Sequence, residues 1–95
     1  MKFVTVDNNK QRLIMLEELL KTHFPDCVVT EFTDPMLSAK FIYNNDVDMV
    51  FAQEEMGRVN GDGLKQVIML NKPYVNVRLF REIPETADCI LSLKE

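Results

Sequence analysis

The chain has no tryptophan, one histidine, two cysteines and three glycines in 95 residues, and its 11 Lys and Arg are outnumbered by 15 Asp and Glu. Each scarcity removes a class of function. Cys27 and Cys89 lie in apolar runs, Cys-Val-Val and Cys-Ile-Leu, which is neither a disulfide framework nor a metal-binding spacing, so both read as buried reduced thiols. The lone His23 sits in a Thr-His-Phe-Pro helix exit with no nucleophile near it in sequence, which suits a capping or solvated role better than catalysis. Gly57, Gly61 and Gly63 match neither Gly-x-x-x-x-Gly-Lys-Ser/Thr nor Gly-x-Gly-x-x-Gly, and turn geometry accounts for them. A net charge of −4 with scattered basic residues disfavours nucleic acid or an anionic membrane as a partner. No apolar run approaches the roughly 20 residues of a membrane span. The amino terminus enters a strand-like Lys2-Phe3-Val4-Thr5-Val6 instead of a signal peptide, so a cytoplasmic protein is expected.

What is present is one small domain, residues 1–95, with 46% hydrophobic content. Lys2–Val6 is β-rich and stops at Asp7-Asn8-Asn9; an amphipathic helix then runs from about Gln11 to Thr22, with Leu13, Leu16, Leu19 and Leu20, supported by Ile14, on one face. Cys27–Phe32 is a second strand with Glu31 outward. Asp34 and Pro35 start a second helix to about Asn44, burying Leu37, Phe41 and Ile42. Met49 to Ala52 is short, apolar and without alternation, hence a strand covered on both faces, and it ends at Gln53-Glu54-Glu55. After the glycine-bearing loop, Leu64, Val67 and Ile68 mark a third helix. Tyr74–Phe80 is a fourth strand, with Val75, Val77 and Leu79 facing one way.

The remainder, Arg81 to Glu95, fits two patterns. Ala87–Leu93 suits a fifth strand, yet about six residues separate it from the fourth, where a parallel crossover needs roughly a dozen. Pro84-Glu85-Thr86 followed by Ala87, Ile90 and Leu91 suits a short helix. The order of elements predicts an α/β sandwich with a largely parallel sheet. In such sheets the carboxyl ends of the strands carry the site, which places Gln53 in it.

Val6-Asp7-Asn8-Asn9, Thr33-Asp34-Pro35, the run from Val47 to Met56 and Asn60-Gly61 together resemble, in order and spacing, the receiver domain of two-component response regulators, especially the LytTR-associated type. The resemblance covers about residues 1–80. It implies a flavodoxin-like three-layer sandwich, here truncated after the fourth strand, and a degenerate phospho-acceptor pocket. The family's acidic pair falls on Asp7 and Asn8, its phospho-accepting Asp on Gln53, its loop Pro on Gly57 and its fourth-strand hydroxyl residue near Arg81. For its conserved Lys only Lys94 is a candidate, and the helix between the fourth and fifth strands is read as missing.

Phosphoryl transfer to such a domain needs an anionic oxygen nucleophile and Mg²⁺, and a Gln amide supplies neither charge nor nucleophilicity. Glu54 and Glu55 read as solvated loop acids. The pocket set is therefore Asp7, Asn8, Gln53, Glu55 and Arg81, with no catalytic residue, no metal and no cofactor expected. Tyr74, Asn76, Arg78 and Phe80 share a strand face, Ile83 follows, and Tyr, Phe and Arg are enriched at interfaces. A phosphorylation-independent interaction module is expected, with a protein partner, a homodimer through the fourth strand and tail. The alternatives are a receiver phosphorylated on an atypical acid such as Glu55, and a flavodoxin-like domain binding a small ligand.

Overall fold

The computed structural model describes residues 1–94, Lys94 by its backbone alone. Strands β1 (Lys2–Val6), β2 (Val28–Phe32), β3 (Met49–Gln53) and β4 (Asn76–Phe80) alternate with helices α1 (Lys10–His23), α2 (Pro35–Asn44), α3 (Gly61–Asn71) and α4 (Ile83–Lys94). Among the described residues the sheet has four strands, all parallel, in the order β2-β1-β3-β4. This is the flavodoxin-like order without its fifth strand.

All five residues of β3 are buried, as an unalternating apolar run in a central strand requires. Its side chains divide between two cores. Val50 and Ala52 join Val4, Val6, Ile42, Leu64, Ile68 and Val77 under α2 and α3. Met49 and Phe51 join Phe3, Leu16, Leu20, Phe80 and Ile90 under α1 and α4. Asp34 caps α2 through the Met36 N–H at 2.9 Å, with Pro35 opening the helix, as the sequence predicts.

The tail is a helix, and the fifth-strand pattern is not realised. Thr86 and Ile90 are buried and Ile83, Cys89 and Leu93 pack beside them, a three-to-four spacing that lets one face of α4 lie against α1 and the sheet. A helix therefore does follow the fourth strand, and it lies on the α1 side. This covers Phe80, which is 1% exposed and belongs to the core instead of an interface. Two helix-face expectations also change. Ile14 and Leu37 are exposed, while Ser38 and Ala39 are buried. The small side chains let α2 come close to the sheet, and its larger neighbour Leu37 turns to solvent.

Gly61 is more than a turn residue. It opens α3 under the end of β3, its N–H donating to Glu54 O at 3.1 Å. A Cβ there would lie 2.4 Å from the Gln53 carbonyl oxygen and 2.9 Å from Leu79 Cδ2. Gly63, two residues further on, has nothing within 4 Å of an added Cβ. Urea unfolding should therefore separate the two: Gly61→Ala loses about 1–3 kcal/mol through overpacking against backbone. Gly63→Ala gains up to about 1 kcal/mol from helix propensity.

Candidate functional site

The carboxyl ends of β1, β3 and β4 bring Asp7, Gln53 and Arg81 to one rim. The Asp7 N–H donates to Phe32 O at 3.1 Å, which extends the β1–β2 ladder by one step and leaves the Asp7 side chain wholly buried. A buried carboxylate needs donors, and the next helix provides them. Arg12 Nε donates to Asp7 Oδ2 at 2.6 Å, Arg12 Nη2 to Oδ1 at 2.9 Å, and the Asn9 N–H to Oδ1 at 2.9 Å. The hydrogen bond it donates to Asp7 holds the Arg12 guanidinium above its ordinary pKa. Asn9, in turn, caps α1 by accepting from the Arg12 N–H at 3.1 Å. One turn of chain thus fixes both partners of a bidentate ion pair.

Gln53 is 4% exposed and its amide is used at both ends. Nε2 donates to Arg81 O at 3.0 Å and Oε1 accepts from the Glu54 N–H at 3.0 Å. The side chain braces the end of β3 against the chain leaving β4. Arg81 pairs outward with Glu54, and that hydrogen bond, then the charges of Glu54, Glu55 and Glu85, hold its guanidinium above the ordinary range.

An open cleft of about 310 Å³ lies on this rim, lined by Arg12, Gln53, Glu55, Arg81 and Glu82. Of the residues expected there, Gln53, Glu55 and Arg81 come together. Asp7 lies behind Arg12, and Asn8 is exposed and does not line the cleft. The side chain of Lys94 falls outside the described residues. Arg12 and Glu82 enter the site without having been singled out in sequence. A signal existed for Arg12: a cation in the first turn of a helix opposes the dipole unless a nearby anion holds it, and α1 has no acid there.

The donor set does not fit Mg²⁺. Both Asp7 oxygens are taken by Arg12, Gln53 Oε1 accepts a backbone N–H, and neither Gln53 nor Asn8 carries charge. Among the described residues no group of three or more His, Cys, Asp or Glu is placed to hold a metal ion. Among the described residues no helix is long and apolar enough to cross a membrane.

The expected interface set divides. Tyr74, at 76% exposure, Asn76 and Arg78 are on the surface, while Phe80 is core and Ile83 packs half-buried against it.

The chain has the flavodoxin-like fold of response-regulator receiver domains. A receiver domain from Clostridium thermocellum superposes with a TM-score of 0.74 over 98% of this chain and 74% of its own, at 19% identity. The signal receiver domain of a DNA-binding response regulator from Colwellia psychrerythraea gives 0.71 over 98% and 79%, at 15% identity. An uncharacterized protein from Neptuniibacter caesariensis gives 0.78 over 99% and 68%, at 17% identity. In sequence, the chain is 36% identical over 67 residues to Stress response regulator protein 1 of Lodderomyces elongisporus, a match covering 70% of this chain and 18% of the length of that relative. No family model matches the sequence.

Away from the rim, α1 and the edge strand β2 bring Glu17 and Glu31 together. The hydrogen bond with Glu17, then burial, push Glu31 up to about 7, while the Glu31 contact moves Glu17 down. The pair shares a proton. The folded Glu31 therefore binds a proton that the unfolded one releases near 4.5, so its stabilising contribution is complete below 4.5 and lost as pH rises through 7.

Two outcomes follow from these geometries. Arg12→Ala leaves a buried carboxylate with one donor and should cost about 2–4 kcal/mol, toward the low side of buried pairs because the Arg12 side chain is 35% exposed. In a denaturant double-mutant cycle, adding Asp7→Asn should recover part of that loss. Glu31→Gln should raise the melting temperature at pH 8 and flatten the decline from pH 4.5 to 7; an unchanged profile would separate Glu31 from that titration.

Proposed function

We propose that this domain works in signal transduction as a receiver-fold contact module that does not accept a phosphoryl group. The observation that carries this reading is the Asp7–Arg12 pair. In the position where the resemblance places a metal-binding acid, the carboxylate is already neutralised by a guanidinium from its own chain, held by two hydrogen bonds. Gln53, in the acceptor position, supports it: a neutral amide engaged by Arg81 O and the Glu54 N–H is neither free nor nucleophilic. The charge around the cleft points the same way. Arg12 and Arg81 are both paired, while Glu55 and Glu82 line the opening, a poor setting for an anionic phosphoryl donor. The domain then acts by shape, with a protein partner, a second copy included, meeting the exposed fourth-strand surface around Tyr74 and Arg78.

Glu55 carries a second reading, because it lines the same cleft as Gln53 and Arg12. In it a Glu55 carboxylate oxygen attacks phosphorus, forming an acyl phosphate as the donor's acetate leaves. Incubation with acetyl phosphate and Mg²⁺, followed by intact-mass spectrometry, decides between them. The contact-module reading expects no phosphoryl increment on the wild-type chain. An increment lost in Glu55→Gln would install the second reading in its place.

A further inference from the structure

We propose that the outer edge of β4 pairs antiparallel with the same edge of a second copy, around a two-fold axis at Val77. This rests on the contact-module reading and names its partner.

Among the described residues no strand pairs with the outer side of β4. The Glu54 N–H donates to Phe80 O at 2.9 Å, so Phe80 turns its backbone groups toward β3, and with it Arg78 and Asn76 by alternation. The groups of Val77 and Leu79 then face outward, two donors and two acceptors in a row. Such an edge is a template for another strand. Exposed apolar side chains flank it on both helices. On α3, Val67 lies toward α2, where its carbonyl accepts from Tyr43 Oη at 3.1 Å. The helical repeat puts Lys65 and Met69 on the opposite flank, beside the β4 edge, and Met69 is 44% exposed. On α4, Cys89 and Leu93 pack into the core shared with α1, which leaves Ala87 and Leu91 on the flank away from α1; Leu91 is 48% exposed.

The side chains choose the register. An axis at Arg78 would set Arg78 against its own copy, like charges directly opposite. An axis at Leu79 would set Val75 against Ile83, which already belongs to α4. An axis at Val77 sets Arg78 opposite Asn76 of the second copy, guanidinium against amide carbonyl, twice by symmetry. It also sets Val75 opposite Leu79, and brings the exposed Tyr74 to the diagonal position from Arg78, within reach of a cation–π contact. A strand edge with one basic residue two places from an amide acceptor is complementary to itself in this register. A two-fold interface asks for that property.

The test uses the 95-residue chain with Cys89→Ser as background. Light scattering should show a dimer. Mixing Asn76→Cys chains with Arg78→Cys chains should form a disulfide under mild oxidation, since the two positions face each other as a non-hydrogen-bonded pair; Arg78→Cys alone should stay unlinked. Asn76→Glu, opposite Arg78, should tighten the dimer several-fold and Asn76→Lys should weaken it by a similar factor. A monomer throughout the concentration range overturns the proposal. A dimer that fails both the cross-link and the charge reversal also overturns it, placing the contact elsewhere while the contact-module reading stands. Phosphoryl uptake would instead remove that reading by itself.

Discussion

A carboxylate that is wholly buried at the end of a central strand has to find positive charge or lose its own. In this domain Asp7 finds it five residues along the chain, in Arg12. The pair depends on a short sequence of local events: β1 ends, Asn9 caps the helix, and the first turn of α1 turns Arg12 back over the strand. Once made, it sets Arg12 in the lining of the cleft at the carboxyl end of the sheet. A buried ion pair of this kind adds little net stability relative to an apolar pair, but removing either partner alone is costly. It therefore constrains what the rim can become.

The second constraint is the joint between β3, β4 and α3. Gly61 lets the start of α3 sit against the Gln53 carbonyl, and the Gln53 amide ties the Arg81 carbonyl to the same place. Helix and strands meet at one residue whose main chain and side chain are both occupied. An aspartate at this position could not donate to Arg81 O. The amide thus has a structural reason to be there as well as a chemical consequence. The rim is thus internally satisfied, with Arg12 and Arg81 each paired to a carboxylate and the Gln53 amide engaged at both ends.

Much of this was legible in the chain. Unbroken apolar character named β3 as doubly covered; period-two alternation found the α3 side of β4; Asp34-Pro35 marked a helix start. Gln53 could be placed at the rim because parallel sheets gather their strand ends, and the family resemblance added Glu55 and Arg81. Other features were not legible for physical reasons. Ala87–Leu93 has enough β-formers for a strand and enough three-to-four spacing for a helix, and the choice fell to whether Ile90 could reach the core beside Phe80. Phe80 looked like a surface aromatic because alternation assigns a side chain to a face without saying what covers that face.

By itself the sequence determined the layer order, the parallel sheet and the uncharged amide of Gln53 at the end of β3, since these follow from local periodicity and residue identity. Only the tertiary structure decided which helix covers Phe80, that Arg12 neutralises Asp7, and that Gly61 must be glycine. Each of those depends on how close two separately formed elements come, and that distance is set by packing across the whole domain.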